Sequence, residues 1–293
     1  MQTSGRPEWD CFQFKRYEQE EGIMYKIGFI GAGNMGGALI IAACKTIGPE
    51  HVIITDYDLQ KARDLAAQTG CQVAESNNEV VRSSEYTFLA VKPNVMRGVA
   101  AGIADTLNTE IDKGVKHVIV TIAAGITIAT IKECIGDKAP VIRIMPNTPV
   151  AVGQGMILLT GNGEQDENII EFQRIMKCAG DFLYISESSF DITTSISGCT
   201  PAYAYMFISA LADGACQVGV PRAQAIRLAA KTVLGSAQMV LETGIHPDQL
   251  KDNVCSPGGS TIVGVTALEQ NNFRYAVAQS IIQSTAKNLE LGK

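Results

Sequence analysis

Gly31-Ala32-Gly33-Asn34-Met35-Gly36 follows directly on the apolar run Lys26–Ile30 and opens a helical pattern over Asn34–Thr46. A strand, a glycine-rich turn and a helix in that order form a dinucleotide-binding signature. Gly31 permits the tight turn, Gly33 lets the backbone approach a pyrophosphate, and Gly36 lets helix and strand pack closely. The N–H groups of Asn34, Met35 and Gly36 then face the phosphates. A plain strand–helix turn uses the same residues, so the second strand has to decide. It ends at Asp56, about 20 residues past Gly36, where an acid bonds the adenosine ribose. A carboxylate there repels a 2′-phosphate and puts NADH slightly ahead of NADPH, with Lys61 and Arg63 close enough in sequence to offset part of the effect. Capping the next helix is the other role open to Asp56.

Working outward, short apolar runs alternate with helical stretches. Strands are expected at His51–Asp56, Gln72–Ala74, Tyr86–Val91, Val118–Ala123, Val141–Met145, Met156–Thr160 and Phe182–Ile185, with a helix over Leu59–Thr69. Such alternation predicts a parallel, doubly wound Rossmann-like sheet covered on both faces. Ala90-Val91-Lys92-Pro93 ends the strongest of these strands, at the carboxyl edge where open α/β sheets bind ligands. Lys92 there is either a cofactor contact or an exposed turn lysine. Ala123-Ala124-Gly125 ends the next strand in the same plane, so that Ala123 and Gly125 either admit a nicotinamide ring or only ease packing.

Beyond Ile185 strand runs stop. Helical spacing covers Pro201–Val218, Pro221–Thr243 and Asn272–Leu289. The first of these is apolar nearly all round, so it belongs in a core or a subunit interface. The expected organisation is an extension or leader over 1–23, a dinucleotide-binding domain over 24–186 and an all-α dimerisation and substrate-binding domain over 187–293. No apolar segment reaches the ~18–20 uncharged residues of a membrane span, and the leader lacks a signal-peptide core.

A net charge of −6 without a basic tract argues against nucleic acid as the partner. The eight cysteines form no C-x-x-C pair and there are only three histidines, which points to free thiols in a reducing cytoplasm and no metal site.

A second glycine cluster lies near the end: Asp252-Asn253-Val254-Cys255-Ser256-Pro257-Gly258-Gly259-Ser260-Thr261, before a helical Ile262–Leu268. Free N–H groups, two hydroxyls and a helix N-terminus suit a carboxylate. An ordinary helix-capping loop has the same composition.

Five stretches carry a resemblance: GFIGAGNMGGAL (28–39), AVKP (90–93), RIMPNTP (143–149), SGCTPAYAYMFISALADGA (197–215) and DNVCSPGGSTI (252–262). From Met24 onward the chain resembles the pyrroline-5-carboxylate reductases. The resemblance implies an oxidoreductase of the CH–NH class in proline biosynthesis, reducing 1-pyrroline-5-carboxylate to L-proline with NAD(P)H. It implies a substrate carboxylate held by the amides around Gly259, Ser260 and Thr261, with the Thr261 hydroxyl at the ring nitrogen as the catalytic contact. It also implies a pocket opened by Ser197, an adenosine-side contact at Asn77, and a homodimer through the C-terminal helices, with dimers gathered into a larger ring. Ser260 and Cys199-Thr200 depart from the commoner residues of that family. A β-hydroxyacid dehydrogenase shares the first motif, but its helix lysine has no counterpart between Ser197 and Lys231. A dinucleotide sensor without turnover would have no use for the second loop.

Overall fold

The computed structural model describes residues 25–291, so the expected leader over 1–23 lies outside the described residues. The chain divides into two compact units between Tyr184 and Ile185.

The first unit starts with β1 (Tyr25–Ile30), α1 (Asn34–Ile47), β2 (Val52–Thr55), α2 (Leu59–Thr69), β3 (Gln72–Val73) and α3 (Asn77–Ser83). It continues with β4 (Ser84–Leu89), α4 (Pro93–Asp112), β5 (Val118–Thr121), α5 (Ile128–Ile135), β6 (Val141–Met145), β7 (Gly155–Thr160), α6 (Glu167–Ile175) and β8 (Gly180–Tyr184). The strands form one sheet in the order β3-β2-β1-β4-β5-β6-β7-β8. Alternating side chains sort onto its two faces. Ile27, Phe29, Val52, Ile54, Tyr86, Phe88, Val118 and Val120 pack with Leu39 of α1, Ala62 of α2 and Phe172 of α6. Ile30, Ile53, Leu89 and Ile119 pack on the other side with Val80 of α3, Met96 and Ile103 of α4 and Ile131 of α5. The sheet is thus doubly wound, and its strand order switches direction between β1 and β4.

Two strands, β7 and β8, correct the expectation of a parallel sheet. β7 runs antiparallel to β6, pairing Arg143 with Thr160 and Met145 with Leu158. The connection over 146–154 holds only a 3₁₀ turn, Thr148–Val152. That is too short for the ~10–12 residues of a parallel crossover, so the chain turns back. β8 then pairs parallel with β7.

At the amino ends of the strands two lysines and two glutamates neutralise each other. Lys26 bonds Glu85 at 2.6 Å and also pairs with Glu171, and Lys116 reaches Glu85 at 2.8 Å and Glu171 at 3.0 Å. The Tyr86 hydroxyl donates to Glu171 Oε2 at 2.9 Å. Burial pushes the Glu171 carboxyl up, but its bonds from Lys26 and Lys116 outweigh that and hold it below the usual range. This network ties β1, β4 and α6 together at the edge opposite the glycine turn.

The second unit is helical: α7 (Glu187–Thr194), a π-helical turn over Ser195–Cys199, α8 (Thr200–Gln217), α9 (Arg222–Thr243), α10 (Pro247–Asn253), α11 (Ser260–Gln270) and α12 (Phe273–Leu291). α8 packs on α9, and α12 packs on α7 and the π turn. Phe207 meets Phe273 with ring centroids 5.8 Å apart. α8, apolar nearly all round, buries only Ala212 and leaves Met206 72% exposed. Its apolar surface is therefore not absorbed by the core of its own unit. None of the described helices is long and apolar enough to cross a membrane.

Candidate functional site

Each unit carries one group of the residues singled out in the sequence. In the first unit the glycine turn, Asp56 and Ala90 meet where the strand order switches. Gly31 follows β1 at φ 111°, a conformation that favours glycine, and a Cβ there would lie 2.4 Å from the Ala90 carbonyl oxygen. The end of β4 thus presses against the turn, and Ala90 N–H donates to Ile30 O at 2.9 Å. Gly36 is buried in α1, and its Cβ would lie 2.5 Å from Gly31 O. Gly33, by contrast, would meet nothing within 4 Å. It is exposed and forms the N-cap of α1 with no side chain bonded back to the helix.

That missing cap separates two helices from the rest of the unit. Asp58, Ser76, Thr127 and Asp166 cap α2, α3, α5 and α6 with their side chains. α1 and α4 start without one, at Gly33 and Lys92. The N–H groups at the start of a helix need acceptors. At these two helices, on either side of the switch point, a ligand can supply them. A dinucleotide pyrophosphate over Gly33, Asn34, Met35 and Gly36 fits this cradle. Lys92, Pro93 and half-buried Val91 stand at the start of α4, with Lys92 and Pro93 exposed.

Asp56 lies beside the turn and faces it. Ala32 N–H donates to Asp56 Oδ2 at 2.7 Å, and Asp58 N–H donates to Asp56 Oδ1 at 2.9 Å. The capping role open to Asp56 falls instead to Asp58, whose side chain accepts from Gln60 N–H. Arg63, offered by the sequence as a balancing cation, pairs with Glu75 at 3.3 Å. Lys61 lines an open groove of about 410 Å³ with Gly33, Asn34 and Gly37. Asn77 starts α3 and lines a second groove of about 580 Å³ with Asn78, Asn94 and Val95. β5 ends at Thr121; Ala123 is buried and Gly125 sits in the turn before α5 with φ 73°.

In the second unit, Gly258 takes φ 72° and Gly259 N–H donates to Ser256 O at 3.0 Å, closing a tight turn. Gly259 is the N-cap of α11 and again no side chain caps the helix. Ser260 and Thr261 are its first two residues and both are exposed. The Thr261 hydroxyl and the first amides of α11 are therefore presented together. Ser197 lies elsewhere, buried in the π-helical turn. Asn288 of α12 donates to Ser195 Oγ at 3.1 Å and so braces that turn. α12 is also packed against α11. Sequence patterns give no warning of the π turn or of its tie to Asn288: π-helical turns have no residue signature, and the two partners are 93 residues apart. Such turns are frequent at functional sites.

Comparison with known proteins accords with both halves. A family model described as pyrroline-5-carboxylate reductase dimerisation matches residues 187–291, and one described as NADP oxidoreductase, coenzyme F420-dependent, matches residues 26–125. Pyrroline-5-carboxylate reductase of Escherichia coli is 41% identical over 271 residues, covering 92% of this chain and 98% of that protein. The Arabidopsis thaliana enzyme of the same name is 36% identical, covering 92% and 96%. A solved pyrroline-5-carboxylate reductase from Coxiella burnetii superimposes with a TM-score of 0.82 at 29% identity, over 92% of this chain and 99% of the other. The Plasmodium falciparum pyrroline carboxylate reductase, solved with NADP bound, gives a TM-score of 0.79 at 30% identity over 93% and 100%. A relative of 41% identity, aligned along nearly its whole length, places this chain in the pyrroline-5-carboxylate reductase family.

Proposed function

We propose that this protein reduces the C=N bond of 1-pyrroline-5-carboxylate to give L-proline, using NAD(P)H, in a nucleotide domain of residues 24–186 and a helical domain of residues 187–293. The observation that carries the reading is the uncapped α11 N-terminus behind Gly258-Gly259, in a chain that follows reductases of this name along 92% of its length. A small carboxylate satisfies that helix end by charge and by hydrogen bonding.

Bound at the α1 cradle, NAD(P)H supplies the hydride, which is the cofactor's own chemistry. The protein's share is placement. Gly33, Asn34, Met35 and Gly36 hold the pyrophosphate, and Ala90, Val91, Lys92 and Pro93 lie beside it. Asn77 serves the adenosine side, and Ala123 and Gly125 leave room for the nicotinamide. The Asp56 carboxylate repels a 2′-phosphate and so favours NADH. The amides of Gly259, Ser260 and Thr261 hold the substrate carboxylate, and Ser197 lines the pocket. Fixing the imine carbon against the hydride donor lowers the barrier by proximity. The ring nitrogen takes a proton overall. An imine that binds already protonated needs no strong acid, so the Thr261 hydroxyl, accepting from that nitrogen's N–H, suffices to orient it.

The apolar surface left on the helical unit suits a homodimer through the C-terminal helices, with dimers gathered into a ring. The seven described cysteines are free thiols, which suits a cytoplasmic setting. The deciding test is direct: mix protein, pyrroline-5-carboxylate and either NADH or NADPH, and follow the reduced-nicotinamide absorbance. The signal falls if the reading is right; a flat trace with both cofactors refutes it.

A further inference from the structure

We infer that Asp56 is a clamp on the glycine turn and therefore a positioning residue for either form of the cofactor, whatever it does at the ribose. The inference rests on reading Gly31–Gly36 as the pyrophosphate site. Both oxygens of the Asp56 carboxylate are engaged from within the chain. Ala32 N–H, inside the turn, reaches Oδ2 at 2.7 Å, and Asp58 N–H reaches Oδ1 at 2.9 Å. One residue earlier, Gly31 N–H donates to Thr55 O at 2.8 Å. Two consecutive amides of the turn are thus pinned to two consecutive residues at the end of β2. Another part of the turn abuts the Ala90 carbonyl, whose oxygen would lie 2.4 Å from a Gly31 Cβ.

The consequence follows from the geometry of α1. Its first amides can share one pyrophosphate only if the turn that leads into them is held still. Gly31 and Gly33 have little conformational preference of their own, so the chain without the clamp would sample many turn geometries. A neutral acceptor could not hold it as well, because an N–H bond to a carboxylate is shorter and stronger than one to an uncharged group. The side-chain cap of α2 is Asp58, not Asp56. A ribose contact alone would make replacement of Asp56 matter to the 2′-position of the cofactor. A clamp makes it matter to every dinucleotide that uses the turn.

NADH whose adenosine ribose is 2′,3′-dideoxy separates the two roles, because that ribose has neither a hydroxyl to read nor a phosphate to repel. In Asp56→Ser its Kd, followed by nicotinamide fluorescence, is expected to rise about tenfold or more, the worth of a hydrogen bond to a charged group. Asp56→Asn keeps one acceptor oxygen and should lose less. An unchanged Kd for the dideoxy analogue overturns the clamp. A second measurement needs no ligand: amide exchange at Ala32, read by NMR, should accelerate about tenfold in Asp56→Ser, and unaltered protection there overturns it too. Wild-type protein that bound neither NADH nor NADPH would instead sink the cofactor reading, with the exchange experiment still judging the clamp.

Discussion

The sheet unit and the helical unit dispose of their apolar residues in opposite ways. In the sheet unit, Ile27, Phe29, Tyr86, Phe88, Val118 and Phe172 are wholly buried. In the helical unit the buried apolar residues among those described are Phe190, Ala212, Ala225 and Ala229, three of them alanines. Met206, Val218, Leu241, Val263 and Tyr275 are between 67% and 82% exposed there. An apolar surface of this extent on a soluble monomer is rare and marks an interaction face. The difference teaches that one unit completes its own core while the other stays unfinished in a single chain. It also separates the two proposed sites, with a self-supporting unit for the proposed cofactor turn and an association-dependent one for the proposed substrate loop.

The largest test of that contrast is a core truncation in the sheet unit. Phe172 packs its ring against Phe88 at 5.7 Å and Phe182 at 5.8 Å. Phe172→Ala should cost about 3–5 kcal/mol, read by denaturant unfolding of the intact protein. A loss below about 1 kcal/mol would mean that the sheet unit, too, relies on association for its stability. Next comes the proposed substrate loop. Thr261→Ala should lower kcat about a hundredfold, the scale of a misplaced reacting group, and leave NADH binding unaltered. Lost NADH binding with intact turnover at saturation would move the loop from substrate to cofactor.

A third test acts on the exposed helices. Met206→Glu combined with Leu241→Glu should raise the dimer dissociation constant at least about thirtyfold, as loss of an interface hot spot does. Sedimentation velocity across a concentration series measures it. Val152→Glu is the control, since Val152 is 74% exposed but lies in the sheet unit. If both variants dissociated alike, or neither did, the two units would not differ in how they rely on association.

How legible all this was depends on how local the cause is. α2 begins and ends where its sequence pattern places it, at Leu59 and Thr69, because Asp58 caps one end and Gly70, at φ 84°, closes the other. The β6 strand Val141–Met145 is likewise set by its own apolar run. The direction of β7 is not, because it follows from the length of the 146–154 connection, which periodicity does not weigh. The carboxylate of Asp56 was visible as a residue type at the right spacing. Its bond to Ala32 needs two segments brought together, 24 residues apart. The π turn and its brace to Asn288 are further out of reach. Thr261 is the extreme case: hydroxyl, glycines and helix end are all plain in the sequence, but the ring nitrogen assigned to the hydroxyl comes from the family resemblance alone.

The smallest effect concerns acid stability, and it lies wholly in the sheet unit. His117 precedes β5 and is 3% exposed. Burial pushes its pKa below the ordinary histidine value, against the opposing pull of Glu110, the Ser84 backbone and Glu85. The unfolded chain therefore takes up a proton at a higher pH than the folded one does. Stability is undiminished above the unfolded value of about 6.5 and falls as the pH drops below it, by no more than about 1.4 kcal/mol per pH unit. Glu171 is shifted in the other sense: its lowered carboxyl stabilises the fold above the unfolded value of about 4.3 and gives that stability up at lower pH. Between pH 6.5 and 5, then, the histidine acts before that carboxylate does. His117→Gln should flatten the stability profile in this window, measured by urea unfolding at stepped pH, while keeping the loss below it. Equal slopes for variant and wild type between 6.5 and 5 would show that the folded protein accommodates a charged ring at His117, and that the amino edge of the sheet is wetter than its packing implies.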